Sequence, residues 1–134
     1  MRKTTKVLAL GTEEWSSSLR HRLPYWLKKD FAGVKDFWHL CGLPQSVLVD
    51  VAVFHHSFPQ ADLRYSAEYV RRRWPDAVIV VIGEQAEHLV DPLYDNRAND
   101  AISPKELAWL IETSVEARRQ GRMHARPVLG GVRA

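Results

Sequence analysis

Apolar positions in this chain fall into two alternating patterns, short continuous runs and longer stretches at helical spacing. Val51–Phe54 and residues 77–82 are apolar throughout. Continuous runs of this kind, rich in β-branched residues, suit central strands of a parallel sheet covered on both faces. Residues 5–10 read as a first strand. Residues 34–40 read as a second, weakened by Lys35 and Asp36, and residues 101–102 as a short fifth.

Helical patterns lie between these runs. Thr12 is a candidate cap for a helix that starts near Glu13 and carries Trp15, Leu19, Leu23, Trp26 and Leu27 on one face. Pro24 should kink or end it, because proline removes an amide donor and clashes with the preceding turn. Residues 43–49 suggest a short helix. Residues 61–74 hold Leu63, Ala67, Val70 and Trp74 at helical spacing, and residues 84–90 a further helix before Pro92. Ser103-Pro104-Lys105-Glu106 is a capping box with proline at the first helical position. Leu107, Leu110, Ile111 and Val115 give the last helix its core stripe. Strands alternating with helices predict a single α/β domain: a five-stranded parallel sheet between two helical layers, of flavodoxin-like order 2-1-3-4-5.

The 134 residues suit one domain, and no apolar run approaches the ~20 residues of a membrane helix. A basic start followed by only four apolar residues (7–10) is too short for a signal-peptide core, so a cytoplasmic location is expected. Cys41 is the only cysteine, which excludes an internal disulfide and a thiolate metal cluster. The net charge of +3 is concentrated at one end. Arg118, Arg119, Arg122, Arg126 and Arg133 fall within residues 117–134, which hold no Asp or Glu; without these five charges the balance is −2. Residues 1–119 are therefore read as the folded domain and 120–134 as a basic, flexible tail.

Several segments carry a family resemblance. Asp50 opens the apolar run of residues 51–54, and Pro59 follows. Arg71-Arg72-Arg73-Trp74-Pro75-Asp76 precedes the second apolar run, and Ala98-Asn99-Asp100-Ala101-Ile102 and Pro104-Lys105-Glu106-Leu107 come in order after it. In sequence and spacing these pieces resemble the receiver domain of bacterial response regulators, from about residue 5 to residue 119. The resemblance implies a chemotaxis-type, flavodoxin-like receiver fold. It also implies where the working residues of that family would fall.

At those positions the chain differs. The phosphoaccepting Asp after the third strand corresponds to His55. The acidic pair that binds Mg²⁺ corresponds to Gly11 and Thr12, with Glu13 just beyond. The hydroxyl residue after the fourth strand corresponds to Gly83, followed by Glu84; the lysine after the fifth strand is missing, and the aromatic switch residue corresponds to Ala101. Mg²⁺ binds hard oxygen ligands, and phosphoryl transfer depends on positioned charge. The resemblance thus implies a non-enzymatic pseudo-receiver in signal transduction, with no cofactor and no resident metal, acting through protein contacts. The alternative is a small-ligand or metal sensor in the altered pocket of Gly11, Thr12, Glu13, His55, Gly83 and Glu84.

In receivers, the face made by the fourth helix, fifth strand and fifth helix carries dimerisation and output contacts. Leu89, Leu93, Tyr94, Ile102 and Trp109 are the candidates here for a homodimer or partner face, since exposed aromatics often anchor interfaces. Trp15, Trp26 and Trp38 are expected mostly in the core. Consecutive strand residues face opposite ways, so His55 and His56 are expected to diverge. No Gly-x-Gly-x-x-Gly loop, Gly-x-Ser-x-Gly elbow or His-Glu-x-x-His pair occurs. Arg71-Arg72-Arg73 reads as a solvated helix end, and no DNA-binding module is present, which argues against a nucleic-acid partner.

Overall fold

The computed structural model describes residues 5–83 and 93–120. Ten elements follow in chain order: β1 (Val7–Leu10), α1 (Glu13–Arg22), α2 (Tyr25–Lys28), β2 (Phe31–Val34), α3 (Phe37–Cys41), β3 (Val51–Phe54), α4 (Gln60–Arg73), β4 (Val78–Ile82), β5 (Asn96–Ala98) and α5 (Pro104–Arg119). The five strands form one parallel sheet in the order β2-β1-β3-β4-β5. This is the expected flavodoxin-like arrangement.

The two all-apolar runs form β3 and β4, buried at every residue. Alternate residues supply two cores. Leu8, Leu10, Ala52, Phe54, Ile79 and Val81 pack with Leu63, Ala67 and Val70 of α4. Val7, Ala9, Val51, Val53, Val78 and Val80 pack with Leu19 of α1 and Leu107 and Ile111 of α5. The capping box is formed: Ser103 Oγ accepts from Glu106 N at 3.1 Å, and Ser103 N donates to the Glu106 carboxylate at 3.0 Å. Asp50 ties β1 to β3 by accepting the Lys6 amide at 2.8 Å. The first helical stretch ends at Arg22, and Pro24 caps the separate α2.

Three elements differ from the sequence expectation. The second strand is Phe31–Val34 and not 34–40, because the Asp36 side chain accepts the His39 amide at 2.8 Å and caps a helical turn over Phe37–Cys41. Residues 43–49 are not helical. Pro44 lies in this segment, and its carbonyls serve other partners: Arg73 donates to Pro44 O at 2.6 Å and Trp74 Nε1 to Val47 O at 2.8 Å. The fifth strand is Asn96–Ala98 and not residues 101–102. Its buried Asn96 is satisfied by Ser114 Oγ at 2.8 Å, and Asn99 Oδ1 accepts the Ala101 amide at 2.7 Å, turning the chain away from the sheet.

The tryptophan expectation also changes. Trp74 is buried, but Trp26 is 52% exposed and Trp38 81%. Trp26 Nε1 donates to the Glu112 carboxylate, while Trp38 lies beside Phe37 on the surface. The Glu112 partner satisfies the Trp26 indole N–H outside the core. The expected helix at 84–90, with Glu84, His88 and Leu89, lies outside the described residues, as does the segment from 121 onward. The basic end begins inside the fold: α5 runs to Arg119, and Arg118 pairs with Asp95 at 3.5 Å.

Candidate functional site at the C-terminal end of the central strands

β3 ends at Phe54, so His55 leads the chain out of the sheet beside the start of α1. Its amide donates to Leu10 O at 2.9 Å, which holds the residue against the end of β1. The Trp15 indole, on the first turn of α1, stacks on the imidazole with centroids 4.3 Å apart and planes 11° apart. The ring centroid of the next residue, His56, lies 4.0 Å from that of His55. The two histidines do not diverge as strand residues would, because the strand has already ended.

Ser57, which the sequence reading did not single out, organises the pocket. Its amide donates to His55 Nδ1 at 3.1 Å, and its Oγ lies 2.8 Å from the same nitrogen. A backbone N–H can only donate, so Nδ1 is unprotonated and the neutral ring carries its proton on Nε2. The Ser57 hydroxyl then donates to Nδ1 and accepts the Thr12 amide at 2.9 Å. One serine therefore links the β1–α1 turn to the histidine. Burial, and then the neighbouring His56, lower the His55 pKa to about 4, against a smaller raising effect of Asp100. The hydrogen bonds agree, since protonated Nδ1 would face the Ser57 amide proton.

Gly11 is required by this arrangement. A Cβ there would lie 2.7 Å from Trp15 Cε3, 2.8 Å from Ser57 Oγ and 3.2 Å from His55 Cβ. Gly83 has a positive φ of 107° and donates its amide to Ala98 O at 2.8 Å, closing the far side. His56 Nε2 lies 3.8 Å from Asp100 Oδ1, an exposed contact between this loop and the one before α5.

The expected pocket is only partly assembled. His55 and Trp15 line a cleft of about 210 Å³ whose other wall includes Ile82, Asp100, Ile102 and Leu107. Gly11 and Glu13 instead line a separate cleft of about 380 Å³ beside β2. Among the described residues no group of three or more His, Cys, Asp or Glu is placed to hold a metal ion. Glu84 lies outside the described residues.

The candidate interaction face is also divided. Ile102 and Trp109, the latter 61% exposed, share a cleft of about 560 Å³ with Arg97, Ala98 and Leu110. Leu93 and Tyr94 pack on the core of the opposite sheet face. Leu89 lies outside the described residues. Of the arginine run, Arg71 reaches Asp95 at 3.1 Å, and Arg73 stacks over Trp74 at 4.5 Å. Both are structural; Arg72 alone is exposed.

No family model matches the sequence, and no curated protein does. Solved structures do match. The signal receiver domain of an HD-domain-containing protein from Pseudomonas fluorescens Pf-5 superposes with a TM-score of 0.73 at 15% identity, covering 91% of this chain and 94% of that one. The receiver domain of AraT, a response regulator from Geobacillus stearothermophilus, gives 0.70 at 22% identity, covering 90% and 99%. The beryllofluoride-activated NtrC4 receiver domain dimer gives 0.64 at 16% identity, covering 84% and 98%. No described helix is long and apolar enough to cross a membrane. Over most of its length, the chain is therefore similar in fold to the receiver domains of response regulators.

Proposed function

We propose that this chain is a phosphorylation-independent pseudo-receiver of bacterial signal transduction, non-enzymatic and cytoplasmic, which acts through protein contacts. The observation that carries the reading is the state of His55. Where a receiver's acceptor carboxylate would stand, the chain presents a neutral imidazole covered by Trp15 and engaged at Nδ1 by Ser57. Gly11 and Thr12 offer no carboxylate beside it, and Glu13 belongs to another cleft. The sensor alternative has less support, because the His55 ring has one face and one nitrogen already occupied.

The contact surface in this reading is β5 with the first half of α5, centred on Ile102 and Trp109. A half-exposed tryptophan beside an open cleft is the type of residue that anchors an interface. One structural neighbour is itself a receiver-domain dimer. Arg71 and Arg73 are held inside the domain, which favours a protein partner or second copy over nucleic acid. Sedimentation of the wild-type and Trp109→Ala chains tests the face. Self-association or partner binding weakened at least ten-fold by the substitution is expected; unchanged oligomeric state and unchanged partner binding would count against it.

A further inference from the structure

A second cleft, unrelated to the acceptor position, lies between α1, β2 and α3. Its volume is about 380 Å³, within the roughly 300–1,000 Å³ typical of small-molecule sites. Its lining runs along β2, from Phe31 at the start of the strand to Lys35 just past its end, and reaches Gly11 after β1. Gly33 lets α1 pack close against β2 at this cleft, since a Cβ there would lie 2.7 Å from Ser16 Oγ. Phe31 supplies an apolar wall and Ser17 an exposed hydroxyl.

Charge selects the ligand. Arg20 projects from α1 and Lys35 follows β2, and both line the cleft. Neither has a side-chain hydrogen bond or ion pair among the described residues, whereas Arg71, Arg73 and Arg118 are all engaged. His39 lines the same cleft, and its Nδ1 accepts the Lys35 amide at 3.2 Å. Its neutral form therefore has Nε2–H as a donor. Glu13 is the one acidic residue of the lining, against two fixed cations. Two unpaired cations with a hydroxyl and an imidazole donor suit a compact, multiply charged oxyanion, which accepts several charge-assisted hydrogen bonds at once.

We infer that the α1–β2–α3 cleft binds a phosphate-bearing small molecule, with its anionic group held between Arg20 and Lys35 and its remainder against Phe31. The anion could be a free polyphosphate or the phosphate of a nucleotide, and the probes separate the two. The 134-residue chain is titrated with pyrophosphate, ADP and adenosine, followed by amide NMR. Saturable shifts at Gly11, Ser17, Gly33 and Lys35 are expected with pyrophosphate or ADP and not with adenosine. ADP binding at least ten-fold tighter than pyrophosphate identifies the nucleotide as the source, and equal affinity identifies the phosphate alone. Arg20→Ala and Lys35→Ala, both exposed positions, should each weaken binding by at least ten-fold and leave the melting temperature unchanged. Arg72→Ala, an exposed cation outside the cleft, should leave binding intact. Absence of saturable shifts with both anions, adenosine binding as tightly as ADP, or affinity equal in wild type and both cleft variants would overturn the inference.

Discussion

The Trp15 indole lies flat on the His55 imidazole, with ring centroids 4.3 Å apart and planes 11° apart. This contact joins the first turn of α1 to the end of β3. It also shields His55 partly from water, and burial is the main cause of its lowered pKa.

Stability should therefore depend on pH in one window. The unfolded chain takes up a proton on this residue near pH 6.5, but the folded chain only near pH 4. The contribution of neutral His55 is complete above 6.5, falls as pH drops through the interval, and is gone below about 4. Urea unfolding of wild type and His55→Gln between pH 4 and 7 checks this. The variant should lose that part of the slope, and parallel curves would refute it.

Ser57 should control the same titration. Ser57→Ala deletes the hydroxyl that donates to Nδ1 and accepts the Thr12 amide. The neutral ring then loses a partner, so the His55 pKa should move upward from about 4. Loss of the hydrogen bonds should cost about 0.5–1.5 kcal/mol of stability. The imidazole proton shift followed across pH reads the first effect, and denaturant unfolding the second.

Gly11→Ala should break the stack. The new Cβ would lie 2.7 Å from Trp15 Cε3 and 2.8 Å from Ser57 Oγ. Overpacking of this kind costs roughly 1–3 kcal/mol. Tryptophan fluorescence should shift as Trp15 leaves His55, together with a lower urea midpoint.

Ser114→Ala should destabilise the edge of the sheet. Asn96 is buried in β5, and Ser114 Oγ accepts from its side-chain amide at 2.8 Å. Removing that acceptor leaves a buried amide donor unsatisfied, at about 1–3 kcal/mol. Hydrogen exchange at residues 96–98 should quicken more than at β3.

The parts of this fold legible in the sequence are those where burial alone sets the pattern. β3 and β4 are apolar at every residue because both faces are covered, and α5 begins where a capping box says it must. The misplaced elements were decided by side-chain hydrogen bonds. Asp36 turns an apparent strand into a helix, and the polar β5 is stabilised by Asn96 with Ser114. The site followed the same division. His55 and Gly11 were visible from their place after the strands, but Ser57 was not, since its role depends on contacts with Thr12 across the β1–β3 gap. The separation of Glu13 from His55, and of Leu93 and Tyr94 from Trp109, likewise depends on which face each element turns.

The central claim is that the His55 pocket does not run an aspartyl-type phosphorylation cycle. The direct measurement is a titration with Mg²⁺ and beryllofluoride followed by amide NMR, with intact mass after incubation with a small phosphodonor. The account predicts no saturable shifts at His55 or Gly83 and no added phosphate. Saturable shifts at those residues, or a phosphoryl adduct that disappears in His55→Gln, would contradict it.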